Sequence, residues 1–396
     1  MKIKSWQAVT ISILVLAAVA CRKETPVSDS LNDPSLESHK YHETCTPGSY
    51  TVFATGLINP RGLKFGPDGN LYVAEGGSGG SHSTVGICKQ VPSISVGPET
   101  GSNTGGRISV IDKWGKRKTL VDDLPSSQTN QESGSLVSGV ADVAFIGNNL
   151  YAILAGAGCS HGVTSLPNGI VKVKSDGSWK LIADLSAYQQ ANPTKVTEDE
   201  DFEPDGTWYS MISLGGHLYA VEPNHGEMVR VNLGGKVTRV IDISATQGHI
   251  VPTVVAFRDG YFYVSNLHPF PIVEGSSSIY KISMDGDIKV WATGFTTVLG
   301  LDFDEEGNLY VLENTTGAGN FIPTAGTGDI VVVNRQKQKK ILVGGLTLPT
   351  GMTFGKDGNL YVSHVGFGPP PQFEAGQILK VCVGGGHDKS EEPSYH

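Results

Sequence analysis

Short runs in which apolar and polar residues alternate recur along the chain, each broken by a turn and followed by a second apolar run. A period of two is that of a strand with side chains on opposite faces. The turns read Asp68-Gly69-Asn70, Glu306-Gly307-Asn308 and Asp357-Gly358-Asn359, which suit the corner of a hairpin. The run after the turn is Leu-Tyr-Val or close to it: Leu71-Tyr72-Val73, Leu150-Tyr151-Ala152, Leu218-Tyr219-Ala220, Phe262-Tyr263-Val264, Leu309-Tyr310-Val311 and Leu360-Tyr361-Val362. A third strand follows each, as in Gly169-Ile170-Val171-Lys172-Val173 or Asp329-Ile330-Val331-Val332-Val333, and a fourth in most, as in Val237-Thr238-Arg239-Val240. Six such units predict an all-β fold: a six-bladed β-propeller with four-stranded antiparallel blades.

The sixth unit stops at Gln377-Ile378-Leu379-Lys380-Val381, one strand short. The spare strand lies at the other end, Tyr50-Thr51-Val52-Phe53-Ala54-Thr55-Gly56, and its wording parallels Val290-Trp291-Ala292-Thr293-Gly294 of the fourth unit. The N-terminal strand is therefore expected to complete the last blade and hide an open sheet edge. That closure would bring Cys45 beside Cys382. Cys88 and Cys159 fall in equivalent loops of neighbouring units, so Cys45–Cys382 and Cys88–Cys159 are the expected disulfides among the three pairings that four cysteines allow. The first two intervals between units are long and need loop insertions, at 76–105 and 155–168.

The ends differ from this pattern. Lys2 and Lys4 precede an apolar run from Ala8 to Ala20, too short to span a bilayer and suited to an export signal. Ala18-Val19-Ala20-Cys21 resembles a lipoprotein cleavage box, which would leave Cys21 as a lipidated N-terminus holding the protein to a membrane. The expected organisation is a signal peptide (1–20), a tether (21–48), the propeller (49–383) and a flexible tail (384–396), in the periplasm or at the cell surface. The chain carries 51 glycines and a net charge of −9. Such acidity argues against a nucleic-acid partner. A monomer is expected.

Two residues past each Leu-Tyr-Val phrase stands a column reading Glu75, Leu154, Glu222, Asn266, Glu313 and His364. If these side chains ringed a shared mouth, carboxylates with an imidazole would suit Ca²⁺ or another divalent metal, with Glu75, Glu222, Glu313 and His364 as ligands. If instead each ended its own strand, it would bond its own turn. Arg61, Asn224, His225 and His268 are candidates for the same face, and His161 lies beside Cys159 in the second unit's insertion. Gly76-Gly77-Ser78-Gly79-Gly80 fits a hydrolase pattern, but no helical period follows it, as that pattern requires. The stretch 81–105 reads as a flexible loop. The acidic run Glu198-Asp199-Glu200-Asp201-Phe202-Glu203 reads as solvated, with weak Ca²⁺ binding as the alternative.

The chain resembles the ScyD/ScyE family, named after a gene cluster for the pigment scytonemin. The likeness rests on Asn59-Pro60-Arg61-Gly62-Leu63, Gly66-Pro67-Asp68-Gly69-Asn70-Leu71-Tyr72-Val73-Ala74-Glu75, Val251-Pro252-Thr253, Pro269-Phe270-Pro271 and Leu309-Tyr310-Val311-Leu312-Glu313, in that order. Where the family tends to carry Asp-Ser-Asn-Pro-Tyr, this chain has Asp205-Gly206-Thr207-Trp208-Tyr209. The resemblance implies an exported NHL-like propeller and transfers no catalytic residues. The expected function is to bind a small molecule, glycan or protein partner outside the cytoplasm. The alternatives are a metal-dependent lactonase or esterase built on the carboxylate column, and a quinone-dependent sugar dehydrogenase using His364 and Arg61.

Overall fold

The computed structural model describes residues 45–92, 96–317, 323–367 and 375–384. The signal, Cys21 and nearly all of the tether and tail lie outside them. The strands run from Tyr50 to Val381 and form six sheets. Five have four antiparallel strands, and the first has a fifth short strand, Val137–Ser138, at its edge. This is the six-bladed propeller that the alternation predicts. The strand Tyr50–Leu57 pairs with Gly376–Val381, so the N-terminal segment completes the last blade. No helix among the described residues is long and apolar enough to cross a membrane.

The Leu-Tyr-Val phrase has a direct packing reason. Side chains of a strand alternate between its two faces, and a blade has a neighbour on each. Leu309 and Val311 pack with blade four, whereas Tyr310 and Leu312 pack with blade six. Each of the six blade interfaces holds its own apolar cluster in this way. In blades one and six the tyrosine hydroxyl also reaches the preceding turn. Tyr72 donates to Asp68 at 3.0 Å, and Tyr361 donates to Asp357 at 3.0 Å. At the closure, Tyr361 also meets Phe53 and Phe65 edge-on, with ring centres 5.1 and 5.0 Å apart.

Polar contacts tie neighbouring blades near the axis. Asp142 of blade two accepts from the Met211 N–H of blade three at 2.8 Å. Asp302 of blade five accepts from Phe354 N–H of blade six at 3.1 Å. Ser363 Oγ of blade six donates to the Arg61 carbonyl of blade one at 2.6 Å.

Both expected disulfides are present. Cys45–Cys382 joins the two ends of the ring, with Cα atoms 6.0 Å apart, and Cys88–Cys159 joins the insertions of blades one and two, at 6.2 Å. Two such bonds place the folded chain in an oxidising, exported environment.

One expectation needs correction. The stretch 81–105 does not end as a loose loop. Residues from Thr100 onward belong to the long strand Thr100–Ile111, and Thr100–Ser102 pair with Ser126–Gln128. Glycine, serine and threonine gave no apolar alternation there. The hairpin extension is instead held by its neighbours, including a two-way backbone pairing of His82 with Gly101. Gly101 fits because an added Cβ would lie 2.2 Å from the His161 carbonyl.

Candidate functional site

The polar column proves to be a set of clasps within blades. Glu75 accepts from the Ile58 N–H at 2.6 Å, Glu222 from Thr207 N–H at 2.8 Å and Glu313 from Thr296 N–H at 2.5 Å. His364 Nε2 accepts from Thr347 N–H at 2.8 Å, and Asn266 donates to the Ile250 carbonyl at 2.9 Å. In each case the partner belongs to the segment that enters the same blade. Glu75 is further paired with Arg107 at 2.6 Å, and both are buried. Glu75, Glu222, Glu313 and His364 do not converge: among the described residues they form no group of metal-ligating atoms. Asn224 and His225 hold the connector from blade two to blade three. Asn224 Oδ1 accepts from Glu203 N–H at 2.8 Å, and His225 Nε2 lies 2.9 Å from the Glu203 carbonyl.

A cavity of about 530 Å³ opens where the inner strands begin, within the range of small-molecule sites. Arg61 and His268 line it, as do Trp208 and Tyr209. Arg61 is 5% exposed. Its guanidinium donates to the carbonyls of Gly366 and Val137 and lies 4.3 Å above the centre of the Phe367 ring. Among the described residues it pairs with no carboxylate. Burial accordingly lowers its pKa. The Trp208 indole N–H and the Asn314 side-chain oxygen are buried and have no hydrogen-bond partner among the described residues, and both residues line this cavity. On another part of the wall His249 meets Asp201 at 2.9 Å. Burial opposes protonation of His249, but the hydrogen bond and charge of Asp201 outweigh it, so its pKa is raised.

A second group of side chains sits in the wall. His161 Nε2 lies 3.4 Å from Glu203 Oε2 and 3.7 Å from Glu99 Oε2, with all three residues buried. The three arrive from separate insertions. Glu99 precedes the third strand of blade one, His161 ends the 3₁₀ turn Cys159–His161, and Glu203 lies in the connector between blades two and three. Ser127 donates to Glu99 Oε2 at 3.0 Å, and Thr207 Oγ1 donates to Glu203 Oε2. Behind the imidazole, Ser160 Oγ is 3.4 Å from Nδ1 and donates to Asp205 at 2.7 Å. Burial raises the pKa of Glu99; burial works against the charge on His161, yet the surrounding carboxylates raise its pKa as well.

No protein-family model matches the chain, and no curated protein matches it. Among solved structures it is similar to virginiamycin B lyase from Staphylococcus aureus, at 13% identity, with 84% of this chain and 98% of that chain covered and a TM-score of 0.45. It is similar to an auxiliary nutrient binding protein from Bacteroides thetaiotaomicron at 10% identity, over 83% of this chain and 69% of that chain, with a TM-score of 0.49. It is also similar to a glucose dehydrogenase at 14% identity, over 84% and 99%, with a TM-score of 0.49. Such likeness concerns the propeller fold and leaves the chemistry to this chain's own residues.

The sequence singled out Arg61, His161 and His268 but read the acidic run as solvated, whereas its Glu203 is buried and its Asp201 lines the cavity. It missed Glu99, Trp208 and His249 as site residues. The one available signal was that each lies in an insertion or connector that departs from the repeat.

Proposed function

We propose that this protein is an exported binding propeller whose central cavity takes a small polar molecule bearing a carboxylate or similar anionic group, such as an acidic sugar. The observation that carries this reading is Arg61, a buried cation in the cavity wall without a carboxylate partner among the described residues. A buried charge lacking its counter-ion is costly, and an anionic ligand would supply one. The guanidinium suits a planar oxyanion. The unpartnered Trp208 N–H and Asn314 oxygen add one donor and one acceptor in the same cavity. Cys21 would carry the lipid that keeps the protein at a membrane, and the resemblance to ScyD/ScyE sequences supports an exported propeller.

The test is calorimetric titration of the mature protein with a panel of sugar acids and small carboxylates, each beside its neutral counterpart. Saturable binding of an acid but not of its neutral form, lost in Arg61→Met while melting stays cooperative, is the expected result. Binding that ignores the acid group, or survives in Arg61→Met, overturns it.

A further inference from the structure

We propose that Glu99, His161 and Glu203 form a binding site for a divalent first-row transition-metal ion, with its open side towards the central cavity. This is independent of the role given to Arg61.

Geometry carries the argument. One oxygen from each glutamate and one nitrogen from the histidine lie within 4.8 Å of one another. The His161 Nε2 separations of 3.4 and 3.7 Å are long for a charge-assisted hydrogen bond, for which about 2.7–2.9 Å is usual. The shorter matches the edge of a coordination shell and the longer lies just beyond it. Ligands at about 2.0–2.2 Å from a tetrahedral ion stand roughly 3.3–3.6 Å apart.

A second observation points to a ligand. His161 is fully buried, and its Nε2 faces two carboxylates at 3.4 and 3.7 Å without a close hydrogen bond among the described residues. Buried imidazole nitrogens ordinarily find a partner. Neither Glu99 nor Glu203 pairs with a lysine or arginine among the described residues. Two buried carboxylates whose ion-pair partner among the described residues is a single histidine are expensive. A divalent ion would satisfy both carboxylates and the histidine together.

The donor set selects the class of ion. One imidazole with two carboxylates suits Zn²⁺ or Mn²⁺ better than Ca²⁺, which takes six to eight oxygens. Three protein ligands leave a coordination position open, the arrangement of metal sites that act on a bound molecule. Glu99 and Glu203 line the cavity and His161 stands behind them, so that position faces the cavity. The support around the ligands is in place: Ser127 on Glu99, Thr207 on Glu203, and Ser160 with Asp205 behind His161. Such outer contacts orient ligands and are part of a working metal site. The Cys88–Cys159 disulfide fixes the turn that carries His161.

The experiment uses the purified mature protein, stripped with a chelator and dialysed, with Zn²⁺ as the probe. Calorimetric titration and elemental analysis read stoichiometry and affinity, and the visible spectrum after Co²⁺ loading reads the ligand field. One equivalent of Zn²⁺ per chain is expected, with affinity lowered by at least about 100-fold in Glu99→Gln and in Glu203→Gln, beyond the usual effect of an outer-shell change. The control His217→Gln, in a hairpin of blade three away from the cavity, should bind as the native protein does. Glutamine keeps the shape of glutamate, so these variants test the site even if His161→Gln fails to fold. No stoichiometric Zn²⁺ in the native protein, or affinity unchanged in both glutamate variants, overturns the proposal.

Discussion

The Glu313 carboxylate accepts a hydrogen bond from the backbone N–H of Thr296 at 2.5 Å, fastening the second strand of blade five to the segment that leads into that blade. Burial pushes the Glu313 pKa up to about 7, against the help of that bond. A carboxyl raised above its unfolded value holds its proton in the folded state at pH values where the unfolded chain has lost it. Its contribution to stability is therefore full below about pH 4.5 and is lost as pH rises towards about 7. Glu313→Gln keeps the acceptor for Thr296 and carries no charge. The variant should match the native protein in mildly acidic solution and exceed it at pH 8, as measured by urea denaturation across the pH range. Parallel curves for the two proteins would remove Glu313 from the pH response.

Glu75 plays the corresponding part in blade one with a cationic partner. Removing it leaves Arg107 buried and unpaired, and breaking a buried ion pair in this way costs about 3–5 kcal/mol. Glu75→Ala should lower the free energy of unfolding by that amount, as read from urea denaturation. A change below about 1 kcal/mol would mean that water or another group takes over the Arg107 contacts.

Cys45–Cys382 closes a loop of nearly the whole propeller, with a sequence separation of 337. In the chain-entropy account a crosslink this long stabilises by about 4 kcal/mol or more. The double variant Cys45→Ala/Cys382→Ala should melt at lower temperature, and the strand Tyr50–Leu57 should exchange its amide hydrogens faster than the rest of blade six. Uniform exchange across that blade would show that strand pairing alone secures the ring.

Attachment through Cys21 is tested by fractionation. The native protein should be found with membranes and should incorporate labelled fatty acid, and Cys21→Ser should leave it soluble or unprocessed. A native protein that is exported, soluble and free of lipid would end that proposal.

The propeller was legible because its information is local and repeated. Alternation, the Asp-Gly-Asn turn and the Leu-Tyr-Val phrase each act within a few residues, and six copies reinforce one another. Ring closure followed from a missing strand at one end and a spare strand at the other. From that closure came the pairing of Cys45 with Cys382, and the placement of equivalent loops put Cys88 beside Cys159. The polar column was equally visible, but its two meanings read alike in one dimension.

The sequence by itself determined the blade count, the closure, the disulfides and the residues of the column. Only the tertiary structure decided where those column side chains bond, each within its own blade, and which residues meet at the cavity. Glu99, His161 and Glu203 come from three insertions with no shared period, and nothing local to any of them encodes the other two. A repeat repeats its contacts, so its core can be read from the pattern. A site built from insertions is assembled across blade boundaries, by loops whose positions depend on the whole ring.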